Sequence, residues 1–162
     1  MRPIRLPALP FLVTGLIVLL LASCATGPVR RVSEPAVSIQ QLTVQANGDW
    51  AVALRLQNFS SIPMRFDALT LTLNTGDAQA GQLQARPALD IGPESADVVN
   101  VTVQPSSQAR LLVADALASG RGINYRLEGS ADAVPQDGRS RHFKLERSSS
   151  LSPVPGLVGV LR

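Results

Sequence analysis

The chain has 162 residues, a formal net charge of +3, a single cysteine, and 45% hydrophobic but only 4% aromatic residues. That length fits one domain with a core large enough to stand without disulfides or metals, and one cysteine excludes an intrachain disulfide. The pI near 10.0 rests on an arginine excess in a nearly balanced chain, with no basic run or aromatic interleaving, so no nucleic-acid partner is expected.

The chain opens with Arg2 and Arg5, then an apolar run over 11–22 broken only by Thr14 and Gly15, and then Leu21-Ala22-Ser23-Cys24. A basic start, a short apolar middle and a small-residue end are the parts of a secretory signal. The run is well short of the ~20 residues a spanning helix needs, and Pro7 and Pro10 limit it further. Leu21-Ala22-Ser23-Cys24 resembles the lipobox of bacterial lipoproteins. The resemblance implies that residues 1–23 are removed as a signal peptide, that the Cys24 sulfur receives a diacylglyceryl group, and that the new amine is acylated. One acyl chain holds a protein on a bilayer only marginally, and two or more hold it stably. An Asp after the cysteine would resemble an inner-membrane retention signal. Ala25 stands there instead, which implies the outer membrane, with the domain facing the periplasm. Removing residues 1–23 takes two arginines and no acid, leaving 139 residues of net charge +1.

Residues 24–36 follow as the lipidated N-terminus and its tether. Gly27, Pro28, Pro35 and the pair Arg30-Arg31 read as linker rather than as a domain element. The two arginines could touch anionic headgroups, at ~1 kcal/mol each. The domain is expected over 37–147. Trp50, Val52, Leu54 and Leu56 alternate with Ala51, Ala53, Arg55 and Gln57, the period of a half-buried strand. A partner strand over 37–46 precedes Asn47-Gly48, a pair that tolerates the positive φ angles of a tight hairpin. Val37 and Ile39 are out of phase with Leu42 and Val44, so a bulge is expected near Gln40-Gln41.

After a loop over 58–63, Leu69, Leu71 and Leu73 mark another strand, ended by Asn74-Thr75-Gly76-Asp77. Residues 78–86 make a weak edge strand, 89–91 are short and apolar, and 92–95 turn the chain. Val99, Val101 and Val103 alternate again. Ala109, Leu112, Val113, Ala116 and Leu117 form one stripe at helical spacing. Ser106 or Ser107 can cap its start and Gly120 and Gly122 end it. Ile123, Tyr125 and Leu127 form a strand, 135–138 a turn, and 140–147 a last strand around Phe143 and Leu145. The tail over 148–162 mixes Ser and Pro with Leu151, Val154, Leu157, Val158, Val160 and Leu161. It is either docked on the domain or offered to a partner. About seven short strands and one helix, with frequent turns and no βαβ alternation, predict an all-β fold, an antiparallel β-sandwich.

Several residues carry a family resemblance: Leu54-Arg55-Leu56-Gln57-Asn58, the strand at 69–73 with Asn74 and Gly76, then Gly81, Ile91-Gly92-Pro93-Glu94-Ser95 and the strand at 99–103. Together they resemble group 2 of the late embryogenesis abundant proteins, also called the WHy domain (water stress and hypersensitive response), from about residue 37 to 143. Family members place Asn-Pro after the second strand. Here Phe59 follows Asn58 and the proline comes at Pro63, so the loop should differ. The resemblance implies a sandwich like fibronectin type III or an immunoglobulin domain, with no catalytic residues, metal or cofactor. It also implies a link to tolerance of drying or cold.

Other chemistry is thin. His142 is the single histidine and lies in the strand phase opposite Phe143, so it is expected on the surface; zinc needs three or four ligands. No Gly-x-Ser-x-Gly elbow occurs. Gly120-Arg121-Gly122 is too short for a phosphate cradle, and Trp50 reads as core. The expected function is that of a non-enzymatic envelope lipoprotein that protects or binds client or envelope proteins. The alternative is a module for lipid or another apolar ligand in envelope assembly or transport.

Overall fold

A computed structural model describes residues 30–136 and 138–162. Cys24 and the lipobox residues Leu21, Ala22 and Ser23 lie outside them. In chain order the elements are β1 (Ala36–Val44), β2 (Trp50–Gln57), β3 (Met64–Thr75), β4 (Ala78–Ala85), β5 (Leu89–Ile91), β6 (Ala96–Val103), α1 (Ser107–Ser119), β7 (Ile123–Pro135), β8 (Arg141–Leu151) and β9 (Val160–Leu161). One sheet has the order β6-β2-β1-β9; the other has β4-β3-β7-β8, with β5 continuing the β4 edge of β3. All pairings are antiparallel. The predicted sandwich is what forms, with two strands beyond the seven expected: β5 and β9.

The alternation in sequence becomes the two inner faces. Trp50, Val52, Leu54 and Leu56 of β2 face Leu69, Leu71 and Leu73 of β3, Leu127 of β7 and Leu145 of β8, all buried. Each such leucine contributes about 1.5–3 kcal/mol by leaving water. The bulge falls where the phase change requires it: Ile39 pairs with Leu54 and Gln41 with Ala53, which leaves Gln40 as the extra residue. Val37, Ile39 and Leu42 thereby all point inward. The hairpin that follows turns at Asn47-Gly48 as expected, but Asn47 keeps a negative φ. The Gly48 N–H donates to the Gln45 carbonyl (2.9 Å) and the Gln45 N–H to the Asp49 carbonyl (2.8 Å). The loop is therefore three residues, and only Gly48 takes a positive φ, +85°, as in a type I turn closed by a left-handed glycine. Asn47 serves through its side chain instead, its Oδ1 accepting from the Asp49 N–H at 3.0 Å.

At one pole of the sandwich, α1 covers the β1–β2 and β3–β4 turns, with Leu112 beside Gly76 and Arg110 beside Gly48. Ala109, Val113 and Ala116 are its buried face. Ser106 caps it, accepting from the Ala109 N–H at 3.3 Å, and the Arg121 N–H to Ala116 carbonyl bond (3.0 Å) closes its last turn at Gly120.

The opposite pole is tied by Asn58, which is fully buried. Its Nδ2 donates toward the carbonyls of Ile62 (2.9 Å), Ile91 (3.1 Å) and Gly92 (2.9 Å), and its Oδ1 accepts from the Ser60 N–H (2.9 Å). This knot fixes the 58–63 loop without the family's proline. For residues 31–36 it also corrects the reading of 24–36 as tether. The Arg31 N–H donates to Ser61 Oγ (2.8 Å) and the Ser33 N–H to Ser60 Oγ (3.0 Å), while Val32 packs on the core. From Arg31 onward the segment belongs to the domain, because the knot presents two serine hydroxyls to its backbone.

Candidate functional site

The tail is docked. β8 runs to Leu151 rather than stopping at Arg147, because Ser148, Ser149 and Ser150 pair through their backbone with Arg126, Tyr125 and Asn124. The chain then crosses to the other sheet. Val154-Pro155-Gly156-Leu157 makes a turn, with the Leu157 N–H donating to the Val154 carbonyl at 3.1 Å. Pro155 sets the first central angle of a type II turn and Gly156, at φ +81°, supplies the second. The return strand β9 pairs Val160 with Thr43 and Leu161 with Leu42, and Leu161 is fully buried. Arg162 clamps the end through Nε and Nη2 to Gln41 Oε1, at 2.9 and 2.7 Å.

Between this hairpin and the C-terminal half of α1 lies a cleft of about 760 Å³. Ala114, Leu117 and Ala118 form the helical wall; Pro153, Val154, Pro155, Leu157 and Val158 form the hairpin wall; Val44, Gly120 and Gly159 complete it. None of these eleven residues has a polar side chain, so the polar part of the lining is backbone. Leu157 is 50% and Val158 100% exposed, and Leu111, on the outer side of the same helix, is 73% exposed. What such a surface can do is bury apolar chain or ligand. The other large concavities include polar side chains: one of about 520 Å³ is lined by Asn124, Tyr125, Arg126 and the three serines of β8, and another of about 410 Å³ includes Arg65, Asp90 and Gln136.

The remaining residues singled out by sequence are scattered. His142 is on the outer face of β8, its Nδ1 2.7 Å from Asp132 Oδ1 across the β7–β8 pair. Trp50 is core. Arg121, between Gly120 and Gly122, pairs with Asp115 at 2.8 Å beyond the helix end. Among the described residues no three His, Cys, Asp or Glu side chains converge, and no helix is long and apolar enough to cross a membrane. Sequence reasoning missed the cleft as a site. Its signal was the run of Leu, Val, Pro and Gly in the tail, which left open whether that run docks.

Residues 53–148, from within β2 to within β8, match the family model described as late embryogenesis abundant protein. The chain belongs to that family. Several solved structures resemble this late embryogenesis abundant domain at low identity. A protein from Arabidopsis thaliana shares 13% identity, covering 81% of this chain and 85% of its own, with a TM-score of 0.48. A protein from Archaeoglobus fulgidus shares 12%, covering 76% and 98%, with a TM-score of 0.42. The solution structure of a candidate late embryogenesis abundant protein shares 14%, covering 88% and 80%, with a TM-score of 0.46. No curated protein matches the sequence.

Proposed function

We propose that this late embryogenesis abundant protein is a non-enzymatic lipoprotein of the outer membrane, anchored through Cys24, whose WHy-type domain faces the periplasm. There it shields client or envelope proteins during drying, cold or similar stress. The observation that carries this reading is the cleft between α1 and the C-terminal hairpin, which offers a client's exposed apolar segment a lining whose side chains are all apolar. Unfolding clients expose such segments, and covering them slows association. The test is aggregation of a model enzyme on heating or drying, with the mature protein reconstituted on vesicles. Wild type should suppress aggregation, and Ala118→Asp with Val158→Asp, both at exposed positions, should remove most of the effect. No suppression at any molar ratio, or full suppression by the double variant, overturns the proposal.

The alternative is an apolar ligand such as an acyl chain, carried for envelope assembly or transport. The same cleft is its site, since the inner sheet faces close on fully buried Leu54, Leu56, Leu71 and Leu73. Native mass spectrometry of gently extracted protein separates the two readings: co-purifying lipid supports the ligand, and a clean protein mass supports the client.

A further inference from the structure

The chain enters the domain at the pole opposite the cleft, where Phe59 stands. This aromatic side chain is 43% exposed although it follows the buried Asn58. Guanidinium groups surround it. The Arg31 Nη2 donates to the Phe59 carbonyl at 3.4 Å and lies 3.6 Å from Glu94. Arg55 and Arg147 share with Phe59 a shallow hollow of about 120 Å³ beside the start of β1. Neither has a carboxylate partner among the described residues. An exposed ring among arginines suits an interface between water and anionic lipid. The ring enters the boundary between headgroups and acyl chains, and the guanidinium groups meet phosphates.

The tether brings this pole to such an interface. Arg31 is fixed to the loop that carries Phe59, so only the six residues 25–30, seven chain steps, separate the docked chain from Cys24. Fully extended they span at most about 25 Å. The cleft lies a β1 length further on, roughly 30 Å for nine residues. We propose that Phe59, with Arg31, Arg55 and Arg147, seats this pole on an anionic bilayer surface, so that the domain stands with its cleft turned away from the membrane. The inference rests on lipid anchoring at Cys24 and adds a second, non-covalent contact that fixes orientation.

Acylated Cys24 leaves no free thiol in the chain, so one introduced cysteine can carry a nitroxide. Phe59→Cys and Val158→Cys, both at exposed positions, are labelled separately. Each lipidated protein is placed on vesicles of phosphatidylethanolamine with phosphatidylglycerol, and label depth is read by power saturation. The label at 59 should sit about 5–10 Å inside the headgroup level and the label at 158 in water. Adding Arg55→Gln and Arg147→Gln should shift the label at 59 toward water by about fivefold per arginine, as should replacing phosphatidylglycerol with phosphatidylcholine. A label at 59 in water on protein that floats with the vesicles overturns the proposal and leaves the anchor intact. Equal insertion at 158 also overturns it. Protein that does not float with vesicles refutes the anchor itself, and this inference falls with it.

Discussion

Replacing Asn58 with Ala should be among the most damaging single changes in the domain. The side chain has two donor protons and one carbonyl, and it serves three backbone carbonyls and one N–H at 2.9–3.1 Å. Two protons cannot serve three acceptors at full strength, so about three good bonds are at stake. Asn58 itself is fully buried; its truncation leaves the Gly92 carbonyl with Ser95 Oγ but takes a partner from the other three groups, at about 1–3 kcal/mol for each left unpaired. With partial relaxation of the loop, the expected loss is about 3–5 kcal/mol, a large share of the 5–15 kcal/mol typical of a domain. Asn58→Asp separates hydrogen bonding from shape. At pH 7 its carboxylate would turn oxygen lone pairs toward three carbonyls, so the variant should be at least as unstable as Asn58→Ala. Burial among those carbonyls raises the folded-state pKa of the new carboxyl above its unfolded value near 3.9. Its deficit relative to wild type should therefore shrink as pH falls through the raised folded value toward 3.9. Urea unfolding followed by the fluorescence of the single, buried Trp50 reads both. A loss under about 1 kcal/mol for Asn58→Ala, or a wild-type midpoint for Asn58→Asp at pH 7, would refute the account of this pole.

Two further substitutions test the packing. A Cβ at Gly129 would collide with the Thr70 carbonyl oxygen and come within 2.9 Å of the Leu71 Cα. Gly129→Ala should therefore force β3 and β7 apart and cost about 3 kcal/mol, read as a lower urea midpoint; an unchanged midpoint would contradict the close approach. Thr75 is fully buried and its hydroxyl has no hydrogen-bond partner among the described residues. Thr75→Val keeps the shape and removes an uncompensated polar group, so it should raise stability by about 1 kcal/mol; a destabilised variant would show that the hydroxyl is satisfied.

The two-sheet architecture was readable because β2, β6 and the 69–73 part of β3 carry a two-residue period, and the bulge at Gln40 because the phase slip shows in the apolar residues of β1. Where side chains are small or polar the period says little. β7 continues from Leu127 to Pro135 through Gly129, Ser130 and Ala131, and β8 reaches Leu151 through three exposed serines; across these small and polar stretches backbone pairing holds the strands, and the apolar alternation is too weak to read. The docking of Arg31 and Ser33 depends on hydroxyls brought close by a loop 27–30 residues away, and no local pattern encodes that. The cleft was half legible: the apolar character of the tail was visible, but its fold-back is decided by β9 completing β1.

The two poles are held in different ways, and the difference fits their proposed roles. At the Phe59 pole, a buried amide, two serines and the incoming chain share one bond network, so the direction in which the chain leaves the domain is fixed. At the cleft, one wall is a helix locked by Ala109, Val113 and Ala116. The other is a hairpin whose sheet contact is the Leu42–Leu161 and Thr43–Val160 pairs, the Val44 N–H to Gly159 carbonyl bond and the Arg162 clamp. Few buried contacts mean a low cost of local opening. A firm wall opposed by a lightly held one, both apolar, can close on segments of different shape, which is what binding to varied unfolding clients demands.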